Sequence, residues 1–232
     1  MITYIIPYRN CLLNKRKDTV LPFLNMMQEL MELNGMCTTV ICDNGSEDNI
    51  REVVAQYNRI RYLYVEPNEG QFLNTSKCLN KATLLTNNPL IAPLGIDFFF
   101  GIETIKYTID FFRALGRIIL RPELLYYNEK GEIENKANVP YVIHREDIMG
   151  IGGWDERMFN WGKEDDDLIL RLKSQKGMIE VLVKGFGYSH IWHDRSFSEK
   201  EEMEQGHNWE IMKDNMRTGG KNLLNSFWST KK

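Results

Sequence analysis

No run of apolar residues in this sequence approaches the length that spans a bilayer, and Met1-Ile2-Thr3-Tyr4-Ile5-Ile6 enters a strand pattern without a basic leader or a cleavage site. Its four cysteines, Cys11, Cys37, Cys42 and Cys78, lack the C-x-x-C spacing of a zinc ribbon. They lie in the amino-terminal third or close to it, which argues for a reducing compartment and against a disulfide framework. An excess of charge of either sign is also lacking. The formal net charge is −3, and Asn14-Lys15-Arg16-Lys17 is the only dense basic run, so no stable nucleic-acid partner is expected. Internal repeats and low-complexity linkers are absent, and one domain covering 1–232 is the simplest reading. Hydrophobic residues, at 43%, suffice for a sizeable core.

Read in order, the first 97 residues alternate between strand and helix patterns. Thr3–Ile6, closed by Pro7, reads as a buried strand, and Asp18–Asn34 as a helix capped by Asp18 with Pro22 in its first turn. Strand Thr38–Cys42 ends in the turn Asp43-Asn44-Gly45-Ser46. Helix Glu47–Tyr57, strand Arg61–Val65, helix Phe72–Leu85 and strand Leu90–Leu94 follow. This β-α-β-α-β-α-β order predicts an α/β fold whose central sheet is mostly parallel and flanked by helices. Ligands of such sheets bind beyond the carboxyl ends of the strands, where Pro7-Tyr8-Arg9, Asp43 and Gly95-Ile96-Asp97 converge. That convergence predicts a nucleotide site. Beyond it, Glu103–Leu115 reads as a helix, Arg117–Tyr127 as extended with a hairpin turn at Asn128–Gly131, and Tyr141–His144 as a strand. A strand at Ile179–Val183 and a closing helix near Asn208–Met216 complete the pattern.

The most unusual stretch is Gly152-Gly153-Trp154-Asp155-Glu156-Arg157-Met158-Phe159-Asn160-Trp161-Gly162-Lys163-Glu164-Asp165-Asp166-Asp167. Four acids open a helix that continues through Leu168–Leu172. One or two acids satisfy the cap and the macrodipole, but four repel one another and raise the proton affinity of some members. A carboxylate so tuned can take a proton from a hydroxyl near neutral pH. Trp161 adds a flat apolar face suited to sugar rings.

Gly-Gly-Trp-Asp-Glu-Arg followed by Trp-Gly-Lys-Glu-Asp-Asp-Asp resembles the Gly-Gly-Phe/Trp-Asp…Trp-Gly-Gly-Glu-Asp-Asp-Asp signature of β-1,4-galactosyltransferases. Ile6-Pro7-Tyr8-Arg9-Asn10 is similar to their diphosphate loop, and Gln71–Lys77 to their Phe-Asn-Arg-Ala-Lys helix start. Asp43-Asn44-Gly45-Ser46 resembles the nucleobase-reading turn of family 2 glycosyltransferases. The resemblance implies a GT-A fold, Rossmann-like, with a nucleotide-sugar half (1–97), an acceptor and catalytic half (98–195) and a helical tail (196–232). It implies an inverting hexosyltransferase using a UDP-linked donor and a glycan or glycoconjugate acceptor. Asp165 is then the general base, and Glu164 and Asp166 orient the acceptor or the base. Trp161 and Gly162 line the sugars, and Pro7, Tyr8, Arg9, Asp43, Lys77 and Asp97 hold the donor.

Gly95-Ile96-Asp97 stands where these families carry Asp-x-Asp. Asp97 keeps the metal ligand, and Gly95 is a departure. His193 falls on the family's ligating histidine and His190 on its methionine, a mixed oxygen and nitrogen set that suits Mn2+ better than Mg2+. The Golgi members of the family carry a membrane anchor, and its absence here points to a cytoplasmic enzyme of bacterial or viral type. Three rival readings stay open: a two-carboxylate glycoside hydrolase, a catalytically inactive sugar- or nucleotide-binding module, and transfer to a non-glycan acceptor such as modified DNA.

Overall fold

The computed structural model describes residues 1–9, 17–69, 73–137, 140–159, 162–191 and 199–220. Its elements run β1 (Ile2–Tyr8), α1 (Lys17–Asn34), β2 (Cys37–Asp43), α2 (Ile50–Val54), β3 (Ile60–Tyr64), α3 (Thr75–Leu85) and β4 (Leu90–Pro93). Then come β5 (Phe98–Phe99), α4 (Ile102–Leu115), β6 (Ile118–Tyr127), β7 (Ile133–Ala137), β8 (Ile143–His144) and α5 (Arg145–Gly150). The chain continues with α6 (Glu164–Lys176), β9 (Ile179–His190) and α7 (Glu199–Thr218).

The central sheet has the order β3-β2-β1-β4-β8 and is parallel except for β8. Both faces are covered, as a parallel sheet requires. In β1, Tyr4, Ile6 and Tyr8 turn towards α1 and α4, with Phe23, Leu24, Met27, Ile105 and Ile109. Ile5 between them turns the other way, into a core shared with Cys78 and Leu79 of α3 and Leu168 and Leu172 of α6. The alternation follows from the two-residue period of a strand. A second sheet, β5-β9-β6-β7, joins the first where Leu120 and Val142 exchange backbone hydrogen bonds of 3.0 and 2.9 Å.

Several sequence expectations need correction. β1 runs through Pro7 rather than stopping before it. Ile5 O accepts from Leu94 N on the β4 side, so two residues on the absent Pro7 N–H faces the same way, where β4 has already ended at Pro93. Helix α1 starts at Lys17, which leaves Pro22 beyond the first turn, and α2 is only five residues of the helix expected over Glu47–Tyr57. The short helix α5 was not foreseen. The closing helix also extends well past Asn208–Met216, because the acidic stretch from Glu199 is itself helical.

Between β6 and β9 the register jumps from Pro122↔Val183 to Glu123↔Gly187. Gly187 is required there because a Cβ would sit 1.8 Å from the Glu123 carbonyl oxygen, which is backbone and cannot swing aside. Gly187→Ala is therefore expected to lower folding stability by at least about 2 kcal/mol, read from urea unfolding. A variant as stable as the parent would show that the bulge is soft.

Candidate active site

The carboxyl edge of the central sheet brings the expected donor residues together. Tyr8 ends β1 beside Asp43, its register partner at the end of β2, and Pro7 precedes it in the same strand. Each Asp43 oxygen is engaged: Ser46 N donates to Oδ1 at 2.8 Å and the Tyr62 hydroxyl to Oδ2 at 2.6 Å. Tyr8 donates its hydroxyl to Asp48 at 2.7 Å. Arg9, the last described residue of this segment, follows directly. Lys77 is tied at 2.8 Å to both the Glu66 carbonyl and the Asn68 side chain, so its ammonium braces the loop after β3.

Asp97 and His190 lie side by side, Oδ2 to Nε2 3.3 Å, both buried. Pairing of β5 with β9 sets Phe98 opposite His190, and Ile191 N donates to the Asp97 carbonyl at 3.1 Å. Phe98 and Tyr126 flank the imidazole. A Cβ at Gly95 would meet Asp97 Oδ1 at 2.2 Å, so the Asp97 carboxylate folds back over the glycine. Absence of a first aspartate at position 95 and the present pose of Asp97 thus go together. Among the described residues no group of three or more His, Cys, Asp or Glu side chains could hold a metal. His193, named as a ligand from the sequence, lies outside the described residues, as does Trp161.

The acidic motif is anchored to this edge by asparagines. Asn74 N donates to Asn44 Oδ1 at 2.8 Å, and Asn44 N donates to the Tyr8 carbonyl at 2.9 Å. The Asn74 side chain accepts from Lys77 N as the cap of α3, at 2.7 Å, and donates to the Glu156 carbonyl at 2.9 Å. Further along the same helix, Asn80 exchanges bonds of 2.9 and 2.8 Å with the Trp154 N–H and carbonyl. Positive φ at Gly152 and Gly153, 87° and 71°, supplies the tight turn before Trp154.

The four consecutive acids have separate environments. Asp167 is buried against Arg171, with Oδ2 2.8 Å from Nε, and Arg171 also donates to the Gly153 carbonyl at 2.8 Å. Asn215 of α7 bridges Asp167 and Asp155 at 2.9 and 2.8 Å. Burial alone would raise the Asp155 pKa, but hydrogen bonds from Arg157 and Asn215 outweigh it and hold the carboxyl below its usual range. Asp166 is exposed and pairs with Lys163 at 3.2 Å. These two acids hold the fold or face water.

Asp165 and Glu164 are different. Tyr141 donates a short hydrogen bond to Asp165 Oδ1 and itself accepts from Trp154 Nε1 at 2.9 Å, so the motif tryptophan orients Asp165 through the tyrosine. Burial raises the Asp165 pKa, opposed by the Tyr141 bond and the Arg121 charge. Glu164 is buried beside it, and burial followed by the Asp165 charge pushes its pKa upward. Such a pair holds one proton more readily than two ordinary carboxylates. Sequence reasoning missed Tyr141, Asn74, Asn80 and Asn208. Asn74 fell inside the helix expected over Phe72–Leu85, whereas it caps α3, which starts at Thr75.

Known proteins are similar to this chain in one segment and in fold. Residues 139–194, from just before Tyr141 to beyond His190, match the family model described as the N-terminal domain of galactosyltransferase. Among solved structures, S. aureus TarS 1-349 in complex with UDP-GlcNAc superposes with a TM-score of 0.70 at 14% identity, over 98% of this chain and 71% of that one. The complex of the same segment with UDP gives a TM-score of 0.67 at 15% identity, covering 98% and 70%. The chain has the GT-A fold, and the two comparisons together support a glycosyltransferase. It resembles the galactosyltransferases over residues 139–194, whereas the likeness to TarS is one of fold. A longer TarS structure is covered over 42% of its length, at a TM-score of 0.67. No curated protein matches in sequence. Among the described residues no helix is long and apolar enough to cross a membrane.

Two outcomes test the site. Asn74→Ala removes a helix cap and strands the part-buried Glu156 carbonyl, so stability should fall by about 2–3 kcal/mol, with about 1 kcal/mol recovered in Asn74→Ser, which restores only the cap. Equal losses in the two variants would deny the cap. Glu164 has a folded pKa above its unfolded value, so its stabilising contribution is present below the ordinary glutamate range and is lost as pH rises towards the folded value. Glu164→Gln should therefore be more stable than the parent at pH 8 by about 1 kcal/mol or more, with the gap closing by pH 4. Melting curves across that range read the difference, and a gap independent of pH would refute the assignment.

Proposed function

We propose that the enzyme moves a hexose from a nucleotide-diphosphate sugar, UDP-linked, to a hydroxyl of a glycan or glycoconjugate with inversion. The observation that carries this reading is Asp165, held by Tyr141 at the amino terminus of α6 with its pKa raised by burial. A carboxylate so placed is more basic than usual yet stays ionised through the hydrogen bond it accepts, which suits removal of a proton from an attacking hydroxyl. Tyr141 fixes its direction. Glu164 beside it would hold a proton and so limit the repulsion between the two acids. The complexes of TarS with UDP and UDP-GlcNAc support a nucleotide-sugar donor here. Asp43, pinned by Ser46 and Tyr62, would accept from the base at the sheet edge, with Pro7, Tyr8 and Arg9 near the diphosphate and Lys77 bracing the adjoining loop.

Asp97 and His190 fit a divalent cation as one carboxylate oxygen and one imidazole nitrogen 3.3 Å apart, and His193 would add a third donor. Bound there, Mn2+ or Mg2+ would supply Lewis-acid neutralisation of the leaving diphosphate. Trp161 and Gly162 would line the acceptor side, and Asp166 would orient the acceptor from the solvent edge.

Asp165→Asn is expected to lower transfer by about a thousandfold or more while leaving nucleotide-sugar binding intact. Thermal-shift titration with UDP-sugars, with and without Mn2+, measures the binding. Retained turnover in Asp165→Asn would remove the base assignment. A donor shift indifferent to Mn2+ and to Asp97→Ala would remove the metal.

A further inference from the structure

Lys163 is the only described non-glycine residue with positive φ, at 75°. A side chain in the left-handed region costs about 1–2 kcal/mol that glycine would avoid. The galactosyltransferase signature has glycine at this position, so the lysine is a departure as well as a strained residue. It stands as the cap position of α6, immediately before Glu164 and Asp165. Strain retained beside reacting groups points to use.

The Lys163 ammonium has a specific destination. Its Nζ sits 5.4 Å from the ring centroid of Trp209 on α7, and Lys213 Nζ approaches the same ring at 5.4 Å. Trp209 remains 41% exposed, although it is the largest apolar side chain on that part of α7. The neighbouring residues fix its place. Buried Asn208 donates to the Phe159 and Gly162 carbonyls at 3.0 and 2.9 Å and accepts from Phe159 N at 3.2 Å. The two residues flanking Asn208 continue the contact, His207 against Phe159 with ring centroids 5.1 Å apart and Trp209 against Lys163. The α7 surface is thereby locked against the turn that leads into the catalytic acids.

We propose that Lys163, Trp209 and Lys213 form an acceptor subsite for a sugar bearing an anionic group, phosphate or carboxylate. The inference rests on the glycosyltransferase reading above and names its acceptor class. The partly exposed indole offers stacking area for a sugar ring once an anion draws the ammoniums from over it, and the two ammoniums supply a field for one negative charge. Both lysines already pair with acids, Lys163 with Asp166 at 3.2 Å and Lys213 with Glu210 at 2.7 Å. These pairs are solvent-exposed and contribute little, so a ligand anion can take the ammoniums over at small cost. Asp166 and Glu210 would then turn to water.

The test needs no known acceptor. Protein labelled with 15N at tryptophan gives an indole N–H signal for Trp209, assigned with Trp209→Phe. Titration with glucose 6-phosphate and with glucuronate should move that signal saturably, with affinity about tenfold or more above that for glucose, as two nearby charges predict. The arm that binds tighter identifies phosphate or carboxylate as the source of the charge. Lys163→Gly keeps a residue suited to the left-handed turn, so the protein folds, and the preference for charged sugars should fall below about threefold. Equal response to glucose and its charged analogues, or a preference unchanged in Lys163→Gly, overturns the proposal. Inorganic phosphate binding as tightly as glucose 6-phosphate overturns its sugar component. UDP-sugar thermal shifts on the same sample separate the two readings. A donor shift with a silent Trp209 sinks this proposal alone, whereas a Trp209 response without any donor shift supports the binding site and sinks the transferase reading.

Discussion

The junction made by Asn74 decides how the two halves of the site meet. Its backbone N–H is held by Asn44 at the end of β2, its side-chain oxygen caps α3, and its side-chain nitrogen holds the Glu156 carbonyl inside the acidic motif. An asparagine amide both donates and accepts, so one fully buried residue satisfies polar groups from three separate segments. Buried polar groups are costly when unpaired, which makes such a junction specific in geometry as well as stabilising. Asn80 repeats the device at Trp154, and Trp154 passes it on through its indole N–H to Tyr141 and so to Asp165. A line of hydrogen bonds therefore runs from the carboxyl edge of the sheet to the proposed base.

The acidic run resolves into different tasks because its members enter a helix. At 3.6 residues per turn, consecutive residues point in different directions. Asp167 turns inward to Arg171 and Asn215, Asp166 outward to solvent, and Glu164 and Asp165 towards the site. Mutual repulsion is lowered where a partner cation or amide is present and kept where burial raises proton affinity. Burial raises the proton affinity of Asp167 as well, but there Arg171 and Asn215 oppose it, whereas Glu164 and Asp165 are the pair proposed for chemistry. Helix α7 takes part throughout: Asn215 bridges two motif carboxylates, and Asn208 holds both described ends of the Phe159–Gly162 turn.

The alternation of strands and helices, the sheet edge carrying Tyr8, Asp43 and Asp97, and the acids at the start of α6 were legible in the residues. Each of these signals is local: a run of apolar residues, a turn tetrapeptide or a helix start determined by its own neighbours. The pairing of His190 with Asp97 was legible only in part, through the spacing of the family signature, because the β5–β9 register that joins them is a tertiary contact. Helix boundaries at Pro22 and along α2 were misjudged where packing overrode local propensity.

The sequence by itself determined that this is an α/β chain with Tyr8, Asp43 and Asp97 at one sheet edge and an acidic helix start, since period, turn chemistry and charge are written along the chain. The tertiary structure alone decided which acid faces the site, that Tyr141 orients Asp165, and that α7 supplies Asn208, Trp209 and Asn215. Those facts depend on side chains tens of residues apart meeting in three dimensions. An asparagine or tyrosine has no distinguishing mark in sequence until the buried group it must satisfy is beside it.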